Sequence, residues 1–180
     1  MKPVRVRLEA PAMRRAAAFV AAVRRSRDLH GIWTAAPANK EEFASFVRRA
    51  RKPHYASHLV CTEQGELAGV INISEIVKGS FCSGYLGYYA LVPHDRRGYM
   101  RAGLAAVISL AFRKYGLHRL EANVQPANRR SIVLIRSLGF ALEGYSPRYL
   151  KIGGRWRDHE RWALTKEAWK PSHAAARAPE

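Results

Sequence analysis

Residues 95–104 read DRRGYMRAGL, with Gly98 preceded by Arg96 and Arg97 and followed by Arg101. The apolar run YYALVP lies directly upstream. Downstream, Leu104, Val107, Ile108, Ala111 and Phe112 recur at spacings of three and four, the period of an amphipathic helix. A strand, a tight basic turn and a helix in that order leave backbone N–H groups uncommitted at the positive end of a helix dipole. With guanidinium groups on both sides, this is chemistry for holding an anion. A glycine without Cβ lets the backbone come close to it. The chain contains neither GxxxxGK followed by Ser or Thr nor GxGxxG, so the two common nucleotide loops are excluded. A pyrophosphate seated on residues 96–103, helped by Arg96, Arg97 and Arg101, is what remains.

These residues need a scaffold. VRVRL (4–8) alternates like a half-buried strand, and 12–26 carries apolar residues at helical spacing. The loop HGIWTAAPANKEEF leads to a second helix, with Asn39 as its N-cap and Glu42 three residues later. That helix ends before Pro53. Strands follow on either side of Gln64-Gly65, then GYLGYYALV. A helix is expected from about Arg101 to Tyr115, stopped by Gly116, then a strand at HRLEANV. NRRSIVLIRSL reads as a short helix capped by Asn128 and stopped by Gly139, and a final hairpin turns through IGG. Strands with segregated helices define an α+β fold with a mixed sheet. The chain reads as one domain over 1–170, with a frayed tail over 171–180.

Bulk properties narrow the setting. The 180 residues allow one sizeable core, and 48% hydrophobic content fits a globular chain. No run approaches the roughly 20 apolar residues of a membrane span, and MKPVRVRLEAP has no apolar signal core. With only Cys61 and Cys82, a reducing cytoplasm is the expected compartment. The formal charge of +17 suits a polyanion such as nucleic acid, a ribosome or a phosphate-rich cofactor, and equally suits a merely Arg-rich composition. His54 and His58 stand four apart, but in a strand that spacing is about 13 Å, so no metal site is expected. Trp33 is placed either at a substrate wall or as a loop anchor, and Trp156, Trp162 and Trp169 as packing.

Four segments occur in order: LVPHDRRGYMRAGL, GLHRLEANVQPANRRSIVLIRSLGF, LEGYSPRYL and GGRWRDHERWAL. As a set they resemble the GNAT acetyltransferases, specifically the RimJ/RimL-like branch that acetylates N-terminal amines of ribosomal proteins. The resemblance is strong over about 83–169 and loose before it. It implies a mostly antiparallel mixed sheet with splayed central strands, and acetyl-coenzyme A as the anionic ligand, with no metal. It places the pyrophosphate on the turn matching Arg96, Arg97, Gly98, Tyr99, Met100, Arg101, Ala102 and Gly103. Two positions depart from the pattern: Asp95 replaces a usual Gln or Arg, and Met100 a usual Gly or Ala. Asn128 matches a residue that contacts the pantetheine arm, and Ser131 one that protonates the leaving thiolate. Helix capping by both residues is compatible with those roles.

The resemblance also implies that backbone N–H groups near Leu91 and Val92 hold the acetyl carbonyl. Arg148 stands where the branch can carry an acidic base, and an arginine cannot accept a proton. Glu121, Glu143 and Tyr145 are the remaining candidates for proton transfer; for Glu121 an ion pair with an arginine is the leading alternative. An α-amine, with a pKa of about 7.7–8.0, needs less help from a base than a lysine amine near 10.4. A protein N-terminus is therefore the expected acceptor, and a small amine such as an aminoglycoside or polyamine the alternative. A decayed RNA-binding module is the more distant one. Ribosome or RNA association through the basic surface, no membrane partner, and a monomer or homodimer complete these expectations.

Overall fold

The computed structural model describes residues 4–170, so the expected tail lies outside the described residues. In chain order the elements are β1 (Arg7–Glu9), α1 (Ala16–Arg25), α2 (Arg27–His30), α3 (Lys40–Arg49), β2 (Ala56–Cys61), β3 (Leu67–Val77) and β4 (Ser83–Ala90). They continue with α4 (Tyr99–Arg113), β5 (Arg119–Val124), α5 (Arg129–Arg136), β6 (Ala141–Ile152) and β7 (Arg155–Thr165). The strands form one sheet of order β1-β2-β3-β4-β5-β7-β6. Neighbours are antiparallel except β4 and β5, which run parallel.

The local signals act as the sequence suggests. Asn39 Oδ1 accepts from the Glu42 N–H at 2.8 Å, and Glu42 returns a carboxylate oxygen to the Ala38 N–H at 2.7 Å. Gly65, Gly116, Gly139 and the Gly153-Gly154 pair all take positive φ at the ends of their elements. The first strand is shorter than its alternation implies, starting at Arg7 instead of Val4. The apolar face of α4 packs Leu104, Val107 and Ile108 fully out of solvent against β2 and β3. Each such side chain contributes roughly 1.5–3 kcal/mol of burial. Gly103 permits this contact, since a Cβ there would lie 2.8 Å from Val60 Cγ2. A second core, under α1 and α3, packs Phe19 against Phe43 with ring centres 4.4 Å apart and planes tilted by 36°.

The feature that makes a site is where pairing stops. β4 and β5 are in register only at Ser83–Arg119, Gly84–Leu120 and Tyr85–Glu121. Beyond Tyr85 the two strands splay, leaving an internal notch where strand edges face one another without a ladder.

Candidate active site

A groove of about 1050 Å³ occupies this notch, lined by Tyr88 and Ala90 of β4 and Asn123 and Val124 of β5. That volume sits at the upper end for small-molecule sites. At one part of its lining, Gly98 is the N-cap of α4 with φ +85°, a left-handed conformation that favours glycine. The first bond inside the helix runs from the Ala102 N–H to the Gly98 carbonyl at 3.0 Å. The N–H groups of Tyr99, Met100 and Arg101 precede it and are the helix's orphan donors. The groove is also lined by Arg96, Arg101, Arg129 and Arg130. Its carboxylates are Asp28 and Asp95, and Asp95 lies 3.7 Å from the Arg96 guanidinium. Cations therefore outnumber anions in the lining, which suits a polyphosphate.

The expected cofactor residues divide into two groups. Arg96, Gly98, Met100, Arg101, Asn128 and Ser131 line the groove; Leu91, Val92, Arg97, Tyr99, Ala102 and Gly103 do not. Tyr99 sets its ring edge-on to His94, and Gly103 faces the sheet. The expectation for Leu91 and Val92 needs correction. The Leu91 N–H already donates to Ala68 O at 2.9 Å, and the Val92 N–H to Ser26 Oγ at 3.0 Å. Since Leu91 turns its N–H toward β3, strand alternation turns that of Ala90 toward the notch. The Ala90 carbonyl does face away from β3, because His30 Nε2 donates to it at 2.9 Å.

Met100 fits where the family pattern has a small residue because Gly69 stands opposite in β3. A Cβ on Gly69 would run into the Met100 thioether and lie 2.9 Å from Tyr89 O. The sequence signal was present, a glycine within an apolar strand, but nothing linked it to position 100.

Asn128 caps α5 by accepting the Ser131 N–H at 3.2 Å, which fixes Ser131 in the first turn. Ser131 Oγ lies 2.6 Å from the Tyr88 hydroxyl, and either oxygen can donate. Burial pushes the Tyr88 phenol up to about 12, with the Ser131 hydrogen bond pulling the other way. The Tyr88 phenol therefore stays protonated at neutral pH. The sequence alone did not single out Tyr88.

The candidate bases from the sequence stand elsewhere. Glu121 is outside the groove lining, and its Oε1 accepts from Arg119 Nε at 3.0 Å. Glu143 binds the same guanidinium, which holds its carboxyl below the ordinary range. Both carboxylates share the Arg119 guanidinium, the kind of ion pair expected first for Glu121. Tyr145 is exposed, outside the groove lining, and donates its hydroxyl to Asp158 Oδ2. Asp158 Oδ1 also accepts the Arg148 N–H at 2.7 Å, where β6 bulges and Arg148 takes φ +48°. Trp33 does line the groove, beside Thr34. Of the other tryptophans, Trp162 is buried but Trp156 is 60% exposed and is not packing. His58 is committed to Tyr115, whose hydroxyl is 3.0 Å from Nε2.

The fold and this groove fit one family: the chain belongs to the Acetyltransferase (GNAT) domain family, whose model matches residues 5–141. It is 43% identical over 109 residues to the [Ribosomal protein uS5]-alanine N-acetyltransferase of Escherichia coli (strain K12), an alignment covering 61% of this chain and 56% of that protein. The chain thus spans a little over half the length of that curated relative. The Probable N-acetyltransferase YjcK of Bacillus subtilis (strain 168) is 29% identical over 117 residues, 65% of either chain. Among solved structures, Mycobacterium smegmatis RimJ in complex with CoA-disulfide superposes with a TM-score of 0.86 and 28% identity, covering 96% of this chain and 90% of that one. The likeness to the RimJ/RimL-like branch drawn from the motifs agrees with these relatives.

Proposed function

We propose that this chain transfers the acetyl group of acetyl-coenzyme A to the N-terminal α-amine of a protein, a ribosomal protein first among candidates. The observation that carries the reading is the groove itself: an internal strand notch with orphan N–H groups and arginines at its helical turn. The diphosphate would sit on the N–H groups of Tyr99–Arg101 and the nearby guanidinium groups. The pantetheine would run along the notch past Asn128. The thioester carbonyl would be polarised by the Ala90 N–H, a preorganised donor of the oxyanion-hole kind. Ser131, joined to Tyr88, would return a proton to the thiolate.

Among the described residues, the lining has only Asp28 and Asp95 to attract a polyvalent cation, and Asp95 is already beside Arg96. That favours a peptide amine over a polyamine. Among the described residues, no helix is long and apolar enough to cross a membrane. We place the activity in the cytoplasm, with 1–170 as one catalytic unit acting as a monomer or homodimer. The test is thiol release with acetyl-coenzyme A and an N-terminal alanine peptide, set against spermidine. Faster turnover of spermidine would reverse the assignment.

A further inference from the structure

Acetyl transfer to an amine needs a group that removes a proton from the ammonium form. The carboxylates that the sequence offered for this, Glu121 and Glu143, are committed to Arg119 outside the groove. Three imidazoles line the groove, those of His30, His94 and His159. His159, on β7, is 2% exposed, yet it lines the groove together with Leu150 and Ile152 of β6. Its Nδ1 lies 2.9 Å from the Arg157 carbonyl oxygen. A carbonyl oxygen only accepts, so Nδ1 carries the hydrogen and Nε2 presents its lone pair. No protein group bonds Nε2 among the described residues.

Neighbouring groups keep the ring in place. The Tyr149 ring packs against it with centres 6.1 Å apart. Asp158, the preceding residue, turns the other way and bonds Tyr145 and the Arg148 N–H, pinning the bulge of β6. The two residues of the Asp158-His159 step therefore divide the work, one on the outer face and one in the groove. The remaining titratable groups in the lining are the carboxylates, arginines and tyrosines already named and His30 and His94. His30 Nε2 donates to the Ala90 carbonyl and its ring stands edge-on to Tyr89, on the β4 side of the notch; His94 Nε2 is 3.3 Å from Glu66 and its Nδ1 is buried without a partner; His159 is the imidazole on the β7 side.

The geometry points to His159 as the general base of the transfer. This rests on the acetyltransferase reading above. Burial holds the imidazole below its ordinary range, more than its Arg157 carbonyl and the Asp158 charge raise it, so it is neutral and ready at pH 7. Nε2 takes one proton from the acceptor ammonium. The freed amine attacks the thioester carbonyl carbon, the C–N bond forms, and the C–S bond breaks with its electron pair on sulfur. The sulfur takes a proton from the Ser131–Tyr88 couple, which recovers one from the acylated nitrogen. His159 then releases its proton to water, leaving amide, free thiol and one proton. A neutral imidazole is matched to an α-amine, whose pKa of about 7.7–8.0 lies far closer to it than that of a lysine.

The test uses the full chain with His159→Gln and His159→Ala. With a peptide bearing an N-terminal alanine, kcat is expected to fall by ~100-fold or more, the usual contribution of a general base. Acetyl-coenzyme A affinity by calorimetry should be unchanged, which also shows that the variants are folded. Added imidazole should restore part of the rate to His159→Ala and none to His159→Gln. Wild-type kcat in either folded variant, or a loss confined to the peptide KM, overturns the assignment. Nitrogen-15 spectra of the wild-type ring at pH 7 give a readout free of turnover, and an Nε2-protonated tautomer overturns it as well. Failure of the transferase reading looks different: the wild type binds acetyl-coenzyme A but acetylates no amine, and the proposed base falls with it.

Discussion

The Met100 thioether occupies the space that a side chain on Gly69 would take, so the first turn of α4 is seated directly on β3. The two positions are coupled across the sheet although they are 31 residues apart by their numbers. Gly69→Ala should therefore lift the turn and cost about 1–3 kcal/mol, the usual penalty of overpacking. Combining it with Met100→Ala should recover the part due to the thioether and leave the part due to the Tyr89 carbonyl, 2.9 Å from the added Cβ. Urea midpoints of the two single variants and the double variant give the coupling directly; strict additivity would show that the contact does not matter.

Gly98→Glu should abolish acetyl-coenzyme A binding. It forces a side chain into a left-handed conformation, toward Val4 Cγ2 at 3.2 Å, and adds a negative charge beside the orphan N–H groups. Calorimetry on a folded variant decides this, and unchanged affinity would remove the turn as the anion site.

Ser131→Ala should lower kcat by about 100-fold with little change in either KM, since the proton is delivered as the C–S bond breaks. Tyr88→Phe should do the same to a smaller extent, and the double variant should be little worse than Ser131→Ala. Residues acting as one couple are non-additive. Two independent losses that multiply would separate Tyr88 from Ser131.

His58 gives a pH dependence of stability whose sign is fixed. Burial drives its imidazole down to about 4, with the Lys114 charge adding to the effect. The folded state therefore resists the proton that the unfolded chain accepts near 6.5. Stability is full above about 6.5, falls as pH drops toward about 4, and then levels. The full shift is worth about 3 kcal/mol at 1.36 per unit, trimmed by the partial solvent contact of the ring. His58→Gln should flatten that part of the curve, measured as unfolding midpoint against pH.

If the +17 charge serves a ribosome or RNA, affinity for ribosomes should fall with salt at a log–log slope of about −0.9 per phosphate neutralised on duplex regions. Turnover of a short peptide should change far less over the same series. Absence of ribosome binding at low salt would leave the charge to composition and cofactor capture.

Much of this was legible beforehand, and the reason is local physics. Capping by Asn39 and Asn128, the glycine turns and the period of α4 are encoded within a few residues of where they act. The basic turn at Gly98 likewise carries its own chemistry. What escaped was set by pairing between distant segments. Leu91 and Val92 lost their N–H groups to Ala68 and Ser26, and Glu121 and Glu143 met over Arg119. Tyr88 reached Ser131 across the notch. His159 lay within a motif recognised as a pattern, but only the Arg157 carbonyl against its Nδ1 reveals which nitrogen is free.

The three-pair seam between β4 and β5 has a mechanical consequence. It joins a four-stranded block, β1 to β4, to a three-stranded block, β5 to β7, by very little backbone. A molecule lying along the notch touches both blocks and so acts as a splint. Saturating it should do more than raise the melting temperature by mass action. Amide exchange on the facing edges, at Ala90 and Asn123, should slow toward that of the interior, drawing the open end of the notch into the cooperative unit that the shared core already forms across both blocks.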